Sequence, residues 1–460
     1  MATSLKEIRR EMLARNQALG LKFNLASATT TTAVVTALAA GGFTQGRFFG
    51  RFLVRAEAAT AAGADRVRRV TDFTASSGTL THAGANYTDT TATSEILEIL
   101  EYEPWLYDRA INLTLSRLKR RDRQIIPCRP GMTRYYLDQL SWIERPSDIL
   151  EVKHCNSPVI TNNRYMQKRN SYNSSGALIP DDWTIISGAT GTGFSTTETW
   201  KGAYSFLLER DSTDAQLSQF FGTLPTGVSS DSLVGIDVTA VTVCWSDTAS
   251  KILVTLDYSP SSTDPSSYHT GNSIWQELSI SQAIEAGKFS DIGIVNNIDA
   301  DAGNAYIGES YAFIGTTVTD QLRRDNYPET TLELEDYDFD QGNGTLALIL
   351  PERPRGTQYV IYSKRGYPQL DETRLLAGTA DADVIDAPVD IMAIGAIGRL
   401  YEMLAERETD NERKTHYEEL TGFWEQKFRP LAQQHLGIKK REPGVDFLRP
   451  KTLASAPRRL

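Results

Sequence analysis

The stretch Lys251–Tyr258 reads KILVTLDY. Successive side chains of an extended chain point to opposite faces, so Ile252, Val254, Leu256 and Tyr258 share one face and Leu253, Thr255 and Asp257 the other. That alternation predicts a strand. Trp183–Ser187, Tyr204–Glu209, Leu217–Gly222, Val238–Trp245, Trp275–Ser281 and Ala305–Ile314 carry the same β-branched and aromatic character, separated by Gly, Ser, Asp and Pro clusters. Short strands with regular turns are the pattern of an antiparallel β-sandwich. Helical periodicity is nearly absent from about Cys155 to Thr316, apart from a turn at Ser281–Gly287.

Outward from this stretch the period changes. Ser4–Leu19 reads as an amphipathic helix with a capping box of Ser4 and Glu7 and a face of Leu5, Ile8, Met12 and Leu19. Such a helix docks on its own core or on a neighbouring subunit. Phe52–Arg55, Arg66–Phe73 and Gly78–Thr81 read as short strands, with Ala56–Ala64 a loop or weak helix. From Pro104 a helix to about residue 122 is expected, since Leu106, Ala110 and Leu113 lie on one face and Ile111, Leu115 and Leu118 on the next. After Thr316, Thr331–Phe339, Thr345–Leu350 and Tyr359–Ser363 suggest a smaller sheet. Asp386-Ala-Pro388 opens a helix carrying Ile391, Ile394, Ile397, Tyr401 and Leu404. A second, from about Asp410, carries Tyr417, Leu420, Trp424, Phe428 and Leu431, and a short linker near Glu408 makes the two an antiparallel hairpin.

The fold expected is therefore α+β and multidomain. A helical core with small β-sheet elements carries an inserted, jelly-roll-like antiparallel β-sandwich. Residues 1–154 and 317–434 form the core, 155–316 the insert and 435–460 a basic extended tail.

The 460 residues are 23% charged and 40% hydrophobic, as in soluble globular proteins. The net charge of −10 argues against a dedicated nucleic-acid binder, though a local basic patch is compatible with it. Cys128, Cys155 and Cys244 are odd in number and far apart, so no disulfide framework or zinc motif is implied. The apolar run Ala33–Phe43 is too short to span a bilayer, which takes about twenty residues. A poor signal peptide at the start completes the expectation of a soluble, cytoplasmically made chain.

No catalytic, cofactor or metal constellation emerges, and the chain does not read as an enzyme. Gly188-Ala-Thr-Gly-Thr-Gly193 lacks the Lys-Ser/Thr of a phosphate loop. Asp336, Asp338 and Asp340 have calcium-loop spacing, but Ala347 stands where the bidentate Glu belongs, and Asp299 and Asp301 fail alike at Ser310. Gly308-Glu-Ser310-Tyr-Ala312 is only a partial nucleophile elbow with no helix after it. His82, His154, His269, His416 and His435 are scattered, and no spacing singles out two acids for glycoside hydrolysis.

Surfaces are more informative. Trp200, Tyr268, Asn272 and Trp275 are candidate glycan or partner contacts, since sugar rings stack on exposed aromatic faces and Asn or Asp contacts orient their hydroxyls. Trp183 and Trp245, inside strands, are expected to be core. Arg117, Lys119, Arg120, Arg121 and Arg123 either solvate a helix C-terminus or meet nucleic acid or an acidic partner. Lys439, Lys440, Arg441, Arg449, Lys451, Arg458 and Arg459 mark a tail that a partner would order.

Two stretches together resemble the head-to-tail connector (adaptor) proteins of tailed bacteriophages. One is Tyr102–Lys119 (YEPWLYDRAINLTLSRLK), with its Ala110-Ile-Asn112 centre. The other runs from Gly344-Thr-Leu-Ala-Leu-Ile-Leu-Pro351 through Tyr359-Val-Ile-Tyr362 to the helix pair ending near Leu431. The resemblance covers about half the chain. It implies a virion structural protein at the neck: a ring, usually twelvefold, beneath the portal protein, in contact with further neck or tail proteins, with DNA passing through its lumen. The insert, which looks like a carbohydrate-binding module, departs from a minimal connector and adds a contact to the capsid, another neck protein or host glycans. The alternative is a tail-fibre-type adhesin whose working part is the insert, although neither trimeric β-repeats nor coiled heptads are present.

Overall fold

The computed structural model describes residues 3–437 apart from 30, 56–66, 84–95, 129–130, 138–139, 168, 173–177, 188–191, 202–203, 211–214, 221–234, 259–261, 285–292, 299–302, 326, 334–335, 341–345, 355–356, 373–374, 376–383 and 386. The basic tail from Lys439, the Ala56–Ala64 stretch, Asp299, Asp301 and Asp386 lie outside the described residues, as does most of Gly188–Gly193.

Six helices occur among the described residues: α1 (Leu5–Arg15), α2 (Thr36–Ala40), α3 (Pro104–Arg117), α4 (Asp320–Arg324), α5 (Val389–Arg407) and α6 (Asn411–His435). In α1 the Glu7 carboxylate accepts from the Ser4 backbone N–H at 2.8 Å, and Leu5, Ile8, Met12 and Leu13 are buried. The helix docks on its own chain, in one apolar cluster with Leu106, Tyr107 and Ile111 of α3 and Met392, Ile397 and Leu400 of α5. A charged knot ties it down as well. Arg9 is fully buried and pairs with Glu98 and, at 2.6 Å, with Asp108, while Arg10 reaches Glu98 at 3.0 Å.

Helix α5 is apolar nearly all round because it is covered by α1, α3 and α6. Gly395 is required there, since a Cβ would lie 2.5 Å from Thr114 Cγ2 and 2.7 Å from the Phe428 ring. Gly395 faces Phe428 and Gly398 faces Trp424, so α5 and α6 run antiparallel. Asp410 caps α6, accepting from the N–H groups of Glu412 and Arg413. The two stretches carrying the connector resemblance meet here: Asn112 of α3 exchanges two hydrogen bonds with the backbone of Leu370, and the hydroxyls of Tyr102 and Tyr417 are 3.3 Å apart.

The helical core is the first correction. The chain outside the insert is as much sheet as helix. A seven-stranded antiparallel sheet runs in the order 20–24, 96–100, 52–55, 67–74, 79–83, 32–34, 27–28. The apolar run at Ala33 supplies its 32–34 strand and α2. A four-stranded sheet, ordered 329–331, 149–155, 358–366, 119–127, shares an apolar cluster of Tyr135, Val152, Leu348, Tyr359 and Ile361 with a three-stranded one. We call this α+β part the base.

The helix expected to residue 122 ends at Arg117, and Lys119–Pro127 is a strand. The reason is a period of two: Asp122, Gln124 and Ile126 are buried while Lys119 and Arg121 face solvent, with the backbone paired to Gln358–Gly366.

The insert is a β-sandwich. One sheet is ordered 184–187, 215–220, 293–298, 252–258, 262–265, the other 193–195, 205–210, 303–314, 237–246, 275–283. All pairings are antiparallel, and the chain crosses repeatedly from one sheet to the other, as in a jelly roll. Phe206, Leu208, Ala240, Cys244, Val254, Leu256, Leu278 and Ile307 fill the space between them. The chain enters and leaves the insert from neighbouring strands of the base, Cys155 lying opposite Glu329 and Lys153 opposite Thr331.

Candidate functional site

The second sandwich sheet buries one face against the other sheet; its outer face is covered at one end, where Val241, Tyr311 and Phe313 pack with Val159 and Leu322, and carries half-buried tryptophans at the other. Along 237–246, Val238, Ala240 and Cys244 point inward, which turns Val241, Val243 and Trp245 out. Trp245 stands opposite Trp275 on one neighbour and Tyr306 on the other, so one outward row carries three aromatic rings. Trp245 and Tyr306 meet edge to face at 5.4 Å. Trp200, from the loop after the 193–195 strand, lies against Trp275 with ring centroids 5.5 Å apart and planes inclined by 44°. Gly308 makes room for this, because an added Cβ would overlap Trp200 Cβ and lie 2.9 Å from Trp275 Cζ3.

What holds Trp200 is charged and buried. Its indole Nε1 donates to Glu309 Oε2 at 3.0 Å, and Glu309 is only 2% exposed. Lys201 Nζ donates to the same oxygen at 3.2 Å and to the Arg323 carbonyl at 2.8 Å. The Arg164 Nε donates to Glu309 Oε1, with the guanidinium lying 3.5 Å over the Tyr311 ring. Arg323 in turn grips Glu277 with two bonds, of 2.9 and 3.1 Å. A surface tryptophan normally gives its N–H to water. Here the polar edge is turned inward on a residue that is 38% exposed.

Of the residues expected to form a platform, Trp200 and Trp275 come together. Tyr268 and Asn272 are exposed on the 266–274 loop, which is organised around His269, whose Nε2 pairs with the Ile274 carbonyl at 3.0 Å. Trp183 is buried, with its Nε1 donating to Asn163 O. Trp245 is half-buried on the outward face rather than core. The signal was available, since the alternation that buries Cys244 excludes Trp245. Glu309 carries no sequence signal, because its partners are more than a hundred residues away.

The expected basic patch is largely neutralised by carboxylates of the same chain. Arg117 pairs with Glu425, Arg120 with Asp181, Arg121 with Glu151 and Arg123 with Glu329; Lys119 is exposed at the strand start. Among the described residues no group of His, Cys, Asp and Glu is arranged to hold a metal. Asp340 pairs with Arg134, and Asp336 and Asp338 accept backbone N–H groups. Ser310 is buried and shares a hydrogen bond with Thr242. No described helix is long and apolar enough to cross a membrane.

The sandwich meets the base through a second charged cluster. Asp181 receives Arg120 at 3.1 Å and both Nη groups of Arg365 at 3.0 and 3.1 Å, with Asp122 and Asp182 close by. Burial, reinforced by Asp182 and Asp122 against Arg365 and Arg120, pushes the Asp181 carboxyl up to about 7. The folded state then binds more protons than the unfolded one between pH 4 and 7. The stability Asp181 contributes is full below pH 4 and is lost as pH rises to 7. Across that range the melting temperature of the wild type should fall relative to Asp181→Asn in differential scanning fluorimetry; parallel curves would mean an ordinary carboxyl.

No protein-family profile and no curated protein matches the chain. Some solved structures do match it in part. The enzymatically active domain of bacteriophage CBA120 tailspike protein 4 aligns with a TM-score of 0.26 at 11% identity, over 34% of this chain and 21% of that one. A family 61 carbohydrate-binding module, solved with β-1,4-galactotriose, aligns with a TM-score of 0.24 at 16% identity, over 35% of this chain and all of its own. The CBM22-1 xylan-binding domain of Paenibacillus barcinonensis Xyn10C aligns with a TM-score of 0.24 at 11% identity, over 35% of this chain and 97% of its own. Likeness at this level leaves the outward face to be read from its own residues.

Proposed function

We propose that the sandwich binds carbohydrate on the face built by Trp245, Trp275 and Trp200, with the buried Tyr306 packed behind Trp245, and that the base fixes it to a larger particle. The reading rests on the inverted Trp200, whose N–H is anchored on buried Glu309 while its ring faces solvent. A platform of that kind suits the C–H faces of sugar rings, with Lys201, Glu277 and Arg323 at its margin to meet hydroxyls. The activity is binding, not turnover. Titration of the full-length protein against an oligosaccharide panel tests it. Trp275→Ala, which removes a central ring, is expected to weaken binding by about 2 kcal/mol, roughly thirtyfold, with the fold intact. Unchanged affinity in both Trp275→Ala and Trp200→Ala would sink the reading.

For the base, the packing of α3 against α5 and α6 favours a second role. It joins the two stretches that resemble bacteriophage connectors into one unit. On this reading the particle is a virion, and the base is a ring subunit beneath the portal at the neck, enclosing the DNA path. Electron microscopy of the purified protein, alone and with portal, separates the cases: a ring of about twelve supports the connector, and a monomer or trimer with glycan affinity leaves an adhesin. Any tail deletion should begin after Gly437, since His435 closes α6 against Tyr367.

A further inference from the structure

A pocket of about 240 Å³ opens where the base meets the sandwich, lined among others by Arg123, Asn163, Arg164, Tyr165, Gln167 and Asp325. The volume is below the roughly 300–1,000 Å³ usual for drug-sized ligands, so it suits one small ring. Arg164 reaches it from behind the aromatic face. Its Nε is engaged with Glu309, its side chain is 5% exposed, and its Nη1 has no hydrogen-bond partner. Across the pocket Asp325 Oδ1 stands 4.0 Å from that Nη1, beyond hydrogen-bond reach. Asp325 sits in the left-handed region at φ 50°, where its N–H closes α4 on the carbonyls of Gln321 and Leu322.

A buried donor and a partly exposed carboxylate, an ion pair at 4.0 Å with no hydrogen bond between them, leave a place for a group that accepts from one and donates to the other. A hydroxyl does both; a carboxylate, phosphate or ammonium does one. An added anion would face Asp325, and an added cation would face Arg164 and Arg123. The Tyr165 ring, with Arg164 at 5.3 Å and Lys201 at 5.4 Å, offers an apolar wall beside the polar pair. We infer that this pocket binds an uncharged sugar ring through its hydroxyls, as a second site separate from the tryptophan face. It shares only the ligand class with the proposed function and uses none of that face's rings.

NMR titration of the full chain with the methyl glycosides of glucose, galactose and xylose, and with glucuronate and galacturonate, tests it. Asp325→Gly removes the carboxylate at a φ glycine accepts, so its fold is preserved. At least one neutral glycoside is expected to bind at the pocket, to lose at least tenfold in affinity in Asp325→Gly, and to keep it in Trp275→Ala. Loss in Trp275→Ala with none in Asp325→Gly would put the sugar on the sheet face alone, overturning the pocket while the glycan reading stands. Binding of neither neutral sugar nor uronate in the pocket, or a preference for uronates, would also overturn it.

Discussion

Arg9→Ala should lower stability by about 3–5 kcal/mol, enough to take a large part of what holds a domain of this size together. Arg9 is buried between two carboxylates that are themselves buried, Glu98 in the seven-stranded sheet and Asp108 in α3. Removing it leaves Arg10 as the guanidinium facing Glu98 from α1 and takes from Asp108 its 2.6 Å partner. Uncompensated charge in an apolar cluster is the costly part, more than the lost attraction. The effect is expected in urea unfolding followed by circular dichroism, with α1 becoming sensitive to protease first. Replacing Arg9, Arg10, Glu98 and Asp108 together by apolar residues should recover most of the loss, because it removes the charges along with the pairs. A loss under 1 kcal/mol for Arg9→Ala would mean that water reaches this knot.

Glu309→Ala should act as strongly on the sandwich, by the same route and with an added consequence. It takes from the buried Arg164 guanidinium the carboxylate its Nε donates to, from Trp200 its hydrogen-bond acceptor and from Lys201 one of two acceptors. A loss of about 3–5 kcal/mol is expected. Glu309→Gln keeps a neutral acceptor for the indole N–H and should hold Trp200 in place at some cost in stability. The two variants therefore separate charge from position. If Trp200 fluorescence is red-shifted in the alanine variant but not in the glutamine one, the hydrogen bond orients the ring. If both variants leave the emission unmoved, Gly308 and Trp275 alone seat it.

The sandwich was legible because its strands alternate over short stretches: KILVTLDY forms the 252–258 strand, and the 237–246 and 303–314 strands extend the stretches read from sequence by a few residues at their ends. The helix hairpin was legible for the same local reason, with period 3.6 in place of 2. Strands 20–24 and 96–100 were not. Each is five residues long, and what makes them strands is their mutual pairing across more than seventy residues. Lys119–Arg123 misled in a different way. A run of cations after a helix looks like a solvated C-terminus, and nothing local reveals that Arg117 will meet Glu425 or Arg123 will meet Glu329. The same holds for the site: the aromatic candidates Trp200 and Trp275 could be named from sequence, but the carboxylate that aims one of them could not.

The pairing of Cys155 with Glu329 places the exit and re-entry of the sandwich side by side in one sheet. To the base, the whole insert is topologically a hairpin turn. A turn can be lengthened, shortened or exchanged with little change in closure cost, since that cost grows only as the logarithm of loop length. The main apolar clusters of base and sandwich are separate, and a smaller one joins them where Val241, Tyr311 and Phe313 of the sandwich pack on Leu322 of α4. That apolar seam and the polar clasp of Asp181 with Arg120 and Arg365 are then the parts a replacement would have to reproduce. Such a chain can trade one cartridge for another while the base stays the same.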